Sequence, residues 1–473
     1  MTQEMVKTMN NKITIICSKK DLASQNIKNN LLQIREWNKV SDKVYEFKKF
    51  RIVEIDEFHI YQDYIDKKLE EKGLKSNLII FASKHQSKDP RALLTVHFTG
   101  NIGDAKYGGR PRELAVAAPQ ALKSLLKSIY MLSRNEDFEV SMESTHHGPT
   151  ALETPSVYIE IGSTEKEWVN ETAGRIIANS ILSLEENDAP IAVGFGGNHY
   201  APRQTKIILD TDITFGHNFP NHQLKYLDEE LIKQAFEKSK ADFAYFDRKS
   251  MSKDQKKSLE NIIKKLGYEV LRESDIRDID GVPWDFCLQV REKTRELCPS
   301  GRTRITKGIK EELLKLCKDC ACPKIKVAKI DPVLLREAEN LDKKRLGDFL
   351  DKNNIAYLLR DNGTIAHVII GIEEDCARIV AEELTKECLK ILQEHYKVNY
   401  DPEESILYLE EEKFSPSKAK SLGVPEGPLF GKLAKKKSIT INNKTITPDM
   451  VFEKIKKPIK IKHLYIPILC LKL

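Results

Sequence analysis

Histidine is concentrated in one part of this sequence, next to predicted strand ends. Of the chain's eleven histidines, seven fall between residues 85 and 222, and most follow or end a short apolar run: His85, His97, His146, His147, His199, His217 and His222. Ligands of open α/β sheets bind outside the carboxyl ends of the strands. We therefore expect these imidazoles to meet at one rim, where they could bind a metal ion or transfer protons.

A carboxylate lies inside another predicted strand, SVYIEIG (156–162). Glu160 shares a strand face with Tyr158 and Gly162, because side chains alternate along a strand. A buried carboxylate needs a cation, a metal ion or N–H donors as a partner. The histidines are candidates for that partner, and a purely structural salt bridge is the alternative.

The loop GFGGNHYAPR (194–203) carries polar groups after a predicted strand. Gly196 and Gly197 let a backbone approach a ligand closely. Tyr200 could stack on a base, and Arg203 could bind a phosphate or a carboxylate. The loop does not match the dinucleotide-binding glycine fingerprint.

Two further strand ends bear polar residues. Asn101 closes the run ALLTVHFTGN at the start of a second glycine-rich loop, 99–109, and Lys20 follows the run KITIIC. Lys20, or N–H groups of the glycine-rich loops, could stabilise an oxyanion. The zincin pattern H-E-x-x-H is absent from the sequence.

Strands and helices alternate up to about residue 275. This pattern predicts an α/β fold with an open mixed sheet and helices on both faces. Thr164 and Glu167 form a capping box that predicts a helix start. A chain of 473 residues exceeds one ordinary core, so we expect residues 1–275 to form a catalytic domain.

The remainder differs in pattern. Glycine and proline punctuate residues 276–325, which we interpret as a connecting module. Residues 326–473 predict an α+β domain with a basic tail, including helices near 333–352 and 374–395 and a hairpin at Asn362-Gly363.

The net charge of +6 says little about partners, but its distribution is uneven. Residues 432–463 hold ten lysines against Asp449 and Glu453. Such a run forms either a solvated face or a contact with phosphate backbones.

Cysteine and hydropathy add two expectations. Four thiols could form a small zinc site or stay free: Cys298, Cys317, Cys320 and Cys322. The apolar runs are shorter than the roughly 20 residues that a membrane helix needs. We therefore expect a soluble, cytoplasmic chain without a membrane partner.

Several motifs taken together resemble the archaeal and plant type of D-aminoacyl-tRNA deacylase over about residues 12–275. They are ASKHQS (82–87), LLTVHFTGN (93–101), STHHGPT (144–150), EIGSTEKEW (160–168), GFGGNHYAPR (194–203) and GHNFPNH (216–222). The resemblance implies hydrolysis of the ester between a D-amino acid and the 3′-terminal ribose of tRNA. It also implies zinc, two ions per chain, and a core related to peptidyl-tRNA hydrolase and nucleoside phosphorylases. We expect the chain to be a monomer.

The resemblance carries over Glu160 and six histidines as site residues, without dividing them between metal ligation and proton transfer: His85, His97, His146, His147, His199 and His217. Our working assignment gives metal ligation to His85, His146, His199 and His217. It gives catalysis to His97, His147, Glu160 and Lys20. It gives substrate binding to Asn101, Gly196, Gly197, Tyr200 and Arg203.

Other interpretations stay open at this point. A nucleoside phosphorylase or hydrolase fits the glycine-rich loops, a non-catalytic tRNA-binding protein fits the basic tail, and a metallopeptidase-like amidase is a third alternative. The segment LGVPEGPLFGKL (422–433) is similar to a part of the tRNA-processing endonuclease ribonuclease Z, which suggests a shared way of gripping tRNA.

Overall fold

The structure is a computed structural model that describes residues 12–185, 187–299, 301–316, 323–442 and 444–462. The chain divides into two compact units, Met1–Asp280 and Gly281–Leu473. Residues 276–325, which we predicted to connect two domains, are shared between these units. Within the described ranges, no helix is long and apolar enough to cross a membrane.

The main sheet of the first unit has eight strands. These are β1 (Ile13–Ser18), β2 (Asn38–Ser41), β3 (Val44–Phe47), β4 (Phe50–Ile55), β5 (Leu78–Lys84), β6 (Leu93–His97), β7 (Glu139–Met142) and β8 (Ser156–Gly162). Their order is β2-β3-β4-β1-β5-β8-β6-β7. β5 runs parallel to β1 and β8, whereas β6 runs antiparallel to β8 and parallel to β7. The predicted mixed α/β sheet is confirmed.

Nine helices of the first unit accompany its strands in the described residues. These are α1 (Leu22–Ile34), α2 (Ile65–Glu71), α3 (Pro119–Leu132), α4 (Glu165–Trp168), α5 (Glu171–Leu182), α6 (Pro202–Asp210), α7 (Glu229–Ser239), α8 (Lys253–Lys265) and α9 (Glu273–Ile279). The predicted capping box forms, since Glu167 Oε2 accepts the N–H of Thr164 at 3.0 Å. The helix stops after one turn, and Asn170 caps the next by accepting the N–H of Ala173 at 3.0 Å.

We had expected a single open sheet, but the first unit also contains a second sheet. Its four parallel strands are β9 (Ile191–Phe195), β10 (Thr214–Phe219), β11 (Phe243–Phe246) and β12 (Val270–Leu271), in the order β10-β9-β11-β12. Helix α3 contacts β6 of the first sheet and β10 of the second. Its apolar side chains are buried between the two sheets. The sheets therefore pack against opposite sides of this helix and are not joined by strand pairing in the described part of the chain.

The second unit is α+β, as predicted. It contains α10 (Trp284–Leu297), β13 (Arg302–Ile305), α11 (Lys307–Leu316), β14 (Lys326–Lys329), α12 (Pro332–Asp351), β15 (Ala356–Leu359), β16 (Ile365–Gly371), α13 (Glu374–His395), β17 (Lys397–Asp401), β18 (Ile406–Phe414), α14 (Pro416–Ser421), α15 (Pro428–Ala434), β19 (Ile439–Ile441), β20 (Lys444–Ile446), α16 (Pro448–Val451) and β21 (Phe452–Lys460).

These strands form the sheets β13-β15-β16-β14 and β17-β18-β21 and the hairpin β19-β20. β15 and β16 pair antiparallel around Asn362-Gly363, as expected from the sequence. Of the four thiols considered as a zinc site, Cys298 is free, and Cys317, Cys320 and Cys322 lie outside the described residues.

The buried Asp21 connects helix α1 with strand β5 of the main sheet. Its Oδ1 accepts the N–H of Ser24 at 3.0 Å and so caps α1. Its Oδ2 accepts the N–H of Lys84 at 3.0 Å and thereby ties the start of α1 to the end of β5.

We expect Asp21→Ala to lower the free energy of unfolding by about 2–3 kcal/mol, because it removes a cap and leaves buried N–H groups without acceptors. Urea unfolding followed by circular dichroism measures this change. Asp42→Ala serves as the control, since that side chain is 98% exposed. Equal stabilities of the two variants would contradict the role given to Asp21.

Candidate metal centre

Five neighbouring segments bring histidines and carboxylates to one place. His85 follows β5, His97 ends β6 and Glu160 lies in β8. The adjacent strands β5-β8-β6-β7 carry most of the site, and β9 of the second sheet leads to His199. Three overlapping groups of ligand atoms each lie within 4.8 Å of one another: His97–His146–His147, His85–Glu143–His199 and His97–Glu143–Glu160.

The first group consists of three imidazoles with the same tautomer. Nδ1 of His97 donates to the carbonyl of Phe98 at 3.1 Å, Nδ1 of His146 to that of Ser144 at 2.8 Å, and Nδ1 of His147 to that of Gly148 at 2.6 Å. A carbonyl only accepts, so each Nδ1 must carry the proton. In the neutral form of each ring the lone pair is then on Nε2, and backbone contacts of this kind commonly orient metal-ligating histidines.

The second group surrounds Glu143, whose side chain is completely buried. His199 Nε2 lies 2.8 Å from its Oε2, and His85 Nδ1 lies 3.0 Å from its Oε1. The geometry of these contacts is not that of hydrogen bonds, so both carboxylate oxygens lack a donor. His146 Nε2 is 3.7 Å from the same carboxylate.

Glu160 joins the two groups at the floor of the site. Its Oε1 is 3.7 Å from His97 Nε2, and its Oε2 is 3.6 Å from His85 Nδ1. The imidazole of His97 stacks on the ring of Tyr158 at 5.0 Å. His97 and Glu160 are buried, whereas the side chains of His146 and His199 are 27% and 37% exposed. The site therefore opens to solvent on the side of His146 and His199.

Two imidazoles favour the neutral form, which is the form that ligates metal ions. Burial holds the pKa of His146 well below its ordinary value, and the nearby His97 adds to this effect. Burial and His97 lower the pKa of His147 to about 4.

The carboxylates are ionised, and they alter the histidines that touch them. Burial opposes ionisation of Glu143 and Glu160, but contacts with histidines outweigh it and hold the pKa of each carboxyl below its usual range. Burial also disfavours the charged form of His85, yet these two carboxylates raise its pKa to about 11. The pKa of His97 is raised by Glu160 against the same effect of burial.

This donor set fits a divalent metal ion. His97 Nε2 and both oxygens of Glu143 are buried polar atoms without a hydrogen-bond partner. Buried polar groups are otherwise nearly always paired. Imidazole nitrogens with carboxylate oxygens are typical ligands of zinc, so the unpaired atoms are accounted for if they coordinate a metal ion.

The turn after His147 is tightly packed. His147 has a φ of 43°, an uncommon value for a residue with a side chain. A Cβ added at Gly148 would lie 2.3 Å from the Gly109 nitrogen and 2.4 Å from the Gly108 carbonyl carbon. The backbone of the 99–109 loop therefore holds the turn in place.

We expect Gly148→Ala to lower the free energy of unfolding by about 1–3 kcal/mol through overpacking against this backbone. Gly103→Ala is the control, because its added Cβ would meet no atom within 4 Å. Urea unfolding of both variants measures the difference. If Gly148→Ala were as stable as the control, the backbone of the 99–109 loop would have moved to accommodate the Cβ, and the tight packing would be contradicted.

Two of the predicted site residues are engaged elsewhere. His217, predicted as a metal ligand, contacts Thr145 Oγ1 through Nδ1 at 3.0 Å and the Ala115 carbonyl through Nε2 at 2.9 Å. Neither ring nitrogen is left for a metal ion. Lys20, predicted to be catalytic, binds both oxygens of Glu57 at 2.8 and 2.7 Å, because β1 and the end of β4 run side by side.

The glycine-rich loops are used structurally. The N–H of Gly196 donates to the Phe219 carbonyl at 2.8 Å, and that of Gly197 donates to Ser250 Oγ at 2.7 Å. These N–H groups are therefore not free for an oxyanion. Asn101 donates to the carbonyls of Gly108 and Arg110 at 2.9 and 3.1 Å and closes its own loop.

Tyr200 and Arg203 differ in their access to the site. The hydroxyl of Tyr200 is 3.2 Å from His85 Nε2, which places it beside the cluster. Arg203 pairs with Asp247 at 3.2 Å, and its side chain is 37% exposed.

Glu143 was missed by the sequence analysis although it lies at the centre of the site. It directly follows β7, as His85 follows β5. The criterion of a polar residue at a strand end would find it only if β7 itself had been predicted. The run EVSM (139–142) was not predicted as a strand, because it is short and weakly apolar.

Several known proteins similar to this chain share one description. A family model described as D-aminoacyl-tRNA deacylase matches residues 72–271. A protein of that name from Methanococcoides burtonii is 45% identical over 463 residues, 95% of this chain and 97% of that protein. One from Methanosarcina mazei is 52% identical over 295 residues, 60% of this chain and 99% of that protein.

A solved structure agrees at the level of the fold. It is described as a conserved protein of unknown function, is 41% identical, and has a TM-score of 0.54. The match covers 56% of this chain and 96% of that one. With a relative aligned over nearly the whole of both sequences, this chain belongs to the D-aminoacyl-tRNA deacylase family.

Proposed function

We propose that this chain hydrolyses the ester bond between a D-amino acid and the 3′-terminal ribose of tRNA, in a zinc-dependent reaction that releases free D-amino acid and tRNA. The observation that carries the proposal is the cluster of imidazoles around two buried carboxylates in a member of this family. We also propose that the chain acts in the cytoplasm as a monomer. Its core would be related to those of nucleoside phosphorylases and peptidyl-tRNA hydrolase.

Two zinc ions would be held by this chain. His97, His146 and His147 would hold one through Nε2, and His85, Glu143 and His199 would hold the other. This set replaces His217 of our working assignment by Glu143 and moves His97 and His147 among the ligands. Bound zinc would supply a water with its pKa lowered toward about 7 and would polarise the ester carbonyl.

Glu160 would move the proton in this reaction. It is ionised, buried and 3.6–3.7 Å from His85 and His97. A carboxylate in this state can accept the proton of the attacking water and deliver it to the leaving 3′ oxygen. The stacked ring of Tyr158 and the buried floor of the site restrict the access of bulk water.

Tyr200 is the donor best placed for the developing oxyanion. If Nδ1 of His85 held the metal ion, its Nε2–H would donate to the Tyr200 hydroxyl oxygen, which lies 3.2 Å away. The phenolic proton would then be free to point to a substrate oxygen. This replaces Lys20 and the N–H groups of Gly196 and Gly197, which have other partners.

Substrate would enter past His146 and His199, the exposed side of the cluster. The terminal adenosine would lie along the 194–203 loop, where Arg203 could reach a phosphate. Selection of the D enantiomer would come from steric exclusion of the L side chain at this entrance.

We expect His147→Ala to lower the deacylation of D-Tyr-tRNA by about 10²-fold or more, because the variant loses a ligand or proton carrier at the reacting centre. The release of D-Tyr and L-Tyr from charged tRNA measures this, with L-Tyr-tRNA cleaved slowly by both proteins. His395→Ala, which is far along the sequence in the second unit, should keep full activity. Wild-type turnover by His147→Ala would exclude this site.

We expect chelation to abolish deacylation and added zinc to restore it. Glu143→Gln should weaken zinc binding by at least the roughly 10–100-fold that the loss of an outer-shell partner costs, because it removes an anionic ligand itself. Calorimetric titration of the chelated proteins measures this affinity, and Glu153→Gln, 78% exposed, is the control. Full activity of protein shown to be metal-free would refute the zinc dependence.

A further inference from the structure

Positive charge is concentrated in one small part of the second unit. Residues 415–451, here called the lysine-rich module, contain seven lysines, no arginine, and two acidic residues, Glu426 and Asp449. Their net charge is therefore +5, whereas the whole chain carries +6. The segment that follows, 452–473, carries +5 as well, with six lysines against Glu453, so the positive charge of the second unit is concentrated in residues 415–473.

The lysine-rich module has its own hydrophobic core. Helices α14, α15 and α16 and the hairpin β19-β20 surround six buried side chains: Ala419, Val424, Leu433, Ile439, Ile446 and Val451. The chain turns back after α15, where the N–H of Lys437 donates to the carbonyl of Lys432 at 3.0 Å. This turn holds Lys432, Lys435 and Lys437 close together on a folded surface.

Several of these lysines have no acidic partner. Lys418, Lys420 and Lys436 form ion pairs with Glu453, Glu426 and Glu412. The other four are exposed, and among the described residues no carboxylate is in salt-bridge contact with them: Lys432, Lys435, Lys437 and Lys444. Their like charges repel one another at close range, and a bound polyanion would compensate them.

The second unit supplies none of the metal-ligating groups found in the described residues, since all of them lie between residues 85 and 199. The Methanosarcina mazei relative is matched over 99% of its length by only 60% of this chain. A protein of this family therefore exists at that shorter length. The remaining residues add something other than the metal centre.

We propose that the lysine-rich module is a tRNA-binding surface that contacts the phosphate backbone through Lys432, Lys435, Lys437 and Lys444. The inference depends on the proposed function, which makes tRNA the polyanion that the enzyme meets. Lysine contacts to phosphate carry no base information. The surface therefore strengthens the binding of every tRNA without selecting among sequences.

The test uses the full chain with Lys432, Lys435 and Lys437 all changed to Gln. Filter binding of uncharged tRNA should weaken about tenfold or more at moderate salt. The slope of log K against log salt concentration should fall by about one for each phosphate that a lysine no longer neutralises. With D-Tyr-tRNA, KM should rise while kcat stays within about twofold, since the chemistry is untouched.

A control variant removes the same charge from the same unit. Lys344, Lys386 and Lys397 are exposed and have no ion pair with a described residue, and their change to Gln should leave tRNA affinity unaltered. An ester of D-Tyr with adenosine, which lacks the phosphate backbone, should be cleaved equally by all three proteins.

An equal decrease of tRNA affinity in the control, or unchanged affinity in the test variant, would overturn the proposal. Failure of the deacylase function would instead appear as an absence of hydrolysis in the wild type. Filter binding needs no hydrolysis, so the two failures are distinguishable.

Discussion

The burial of Glu143 and Glu160 is the constraint on which the site depends. Burying a carboxylate without a positively charged or hydrogen-bonding partner costs several kcal/mol. Both carboxylates lie within a few ångströms of His85, and Glu160 also lies close to His97. Imidazoles must therefore converge on them from distant parts of the chain. This requirement ties the ends of β5, β6, β7 and the loop after β9 to Glu160 in β8.

The backbone and the side chains make different contributions to this centre. Carbonyl groups fix the proton on Nδ1 of His97, His146 and His147, and the carboxylates supply the negative charge. Both contributions are needed. A neutral carbonyl cannot compensate the charge of a cation, and a carboxylate cannot fix the tautomers of three separate rings. The arrangement leaves buried atoms unpaired, which is the expected condition of a site prepared for a metal ion.

Much of the local structure could be predicted from the residues. The strand SVYIEIG and helix α13 were predicted with their observed bounds, because their hydrophobic period was unambiguous. The short strands β2, β3 and β7 were not predicted, since four residues of mixed polarity carry too little periodic signal. The convergence of His85, His97 and His199 followed from the rule on strand ends. The same rule included His217, whose two ring nitrogens both have partners within the core.

The sequence by itself determined the alternation of strands and helices, the family, and the set of residue types from which the site is built. Only the tertiary structure decided which of them meet. The antiparallel placement of β6 between β8 and β7 brings Glu143 to the centre of the cluster, and the pairing of Lys20 with Glu57 keeps it occupied elsewhere. Both outcomes depend on contacts between residues far apart in the chain, and local periodicity contains no information about such contacts.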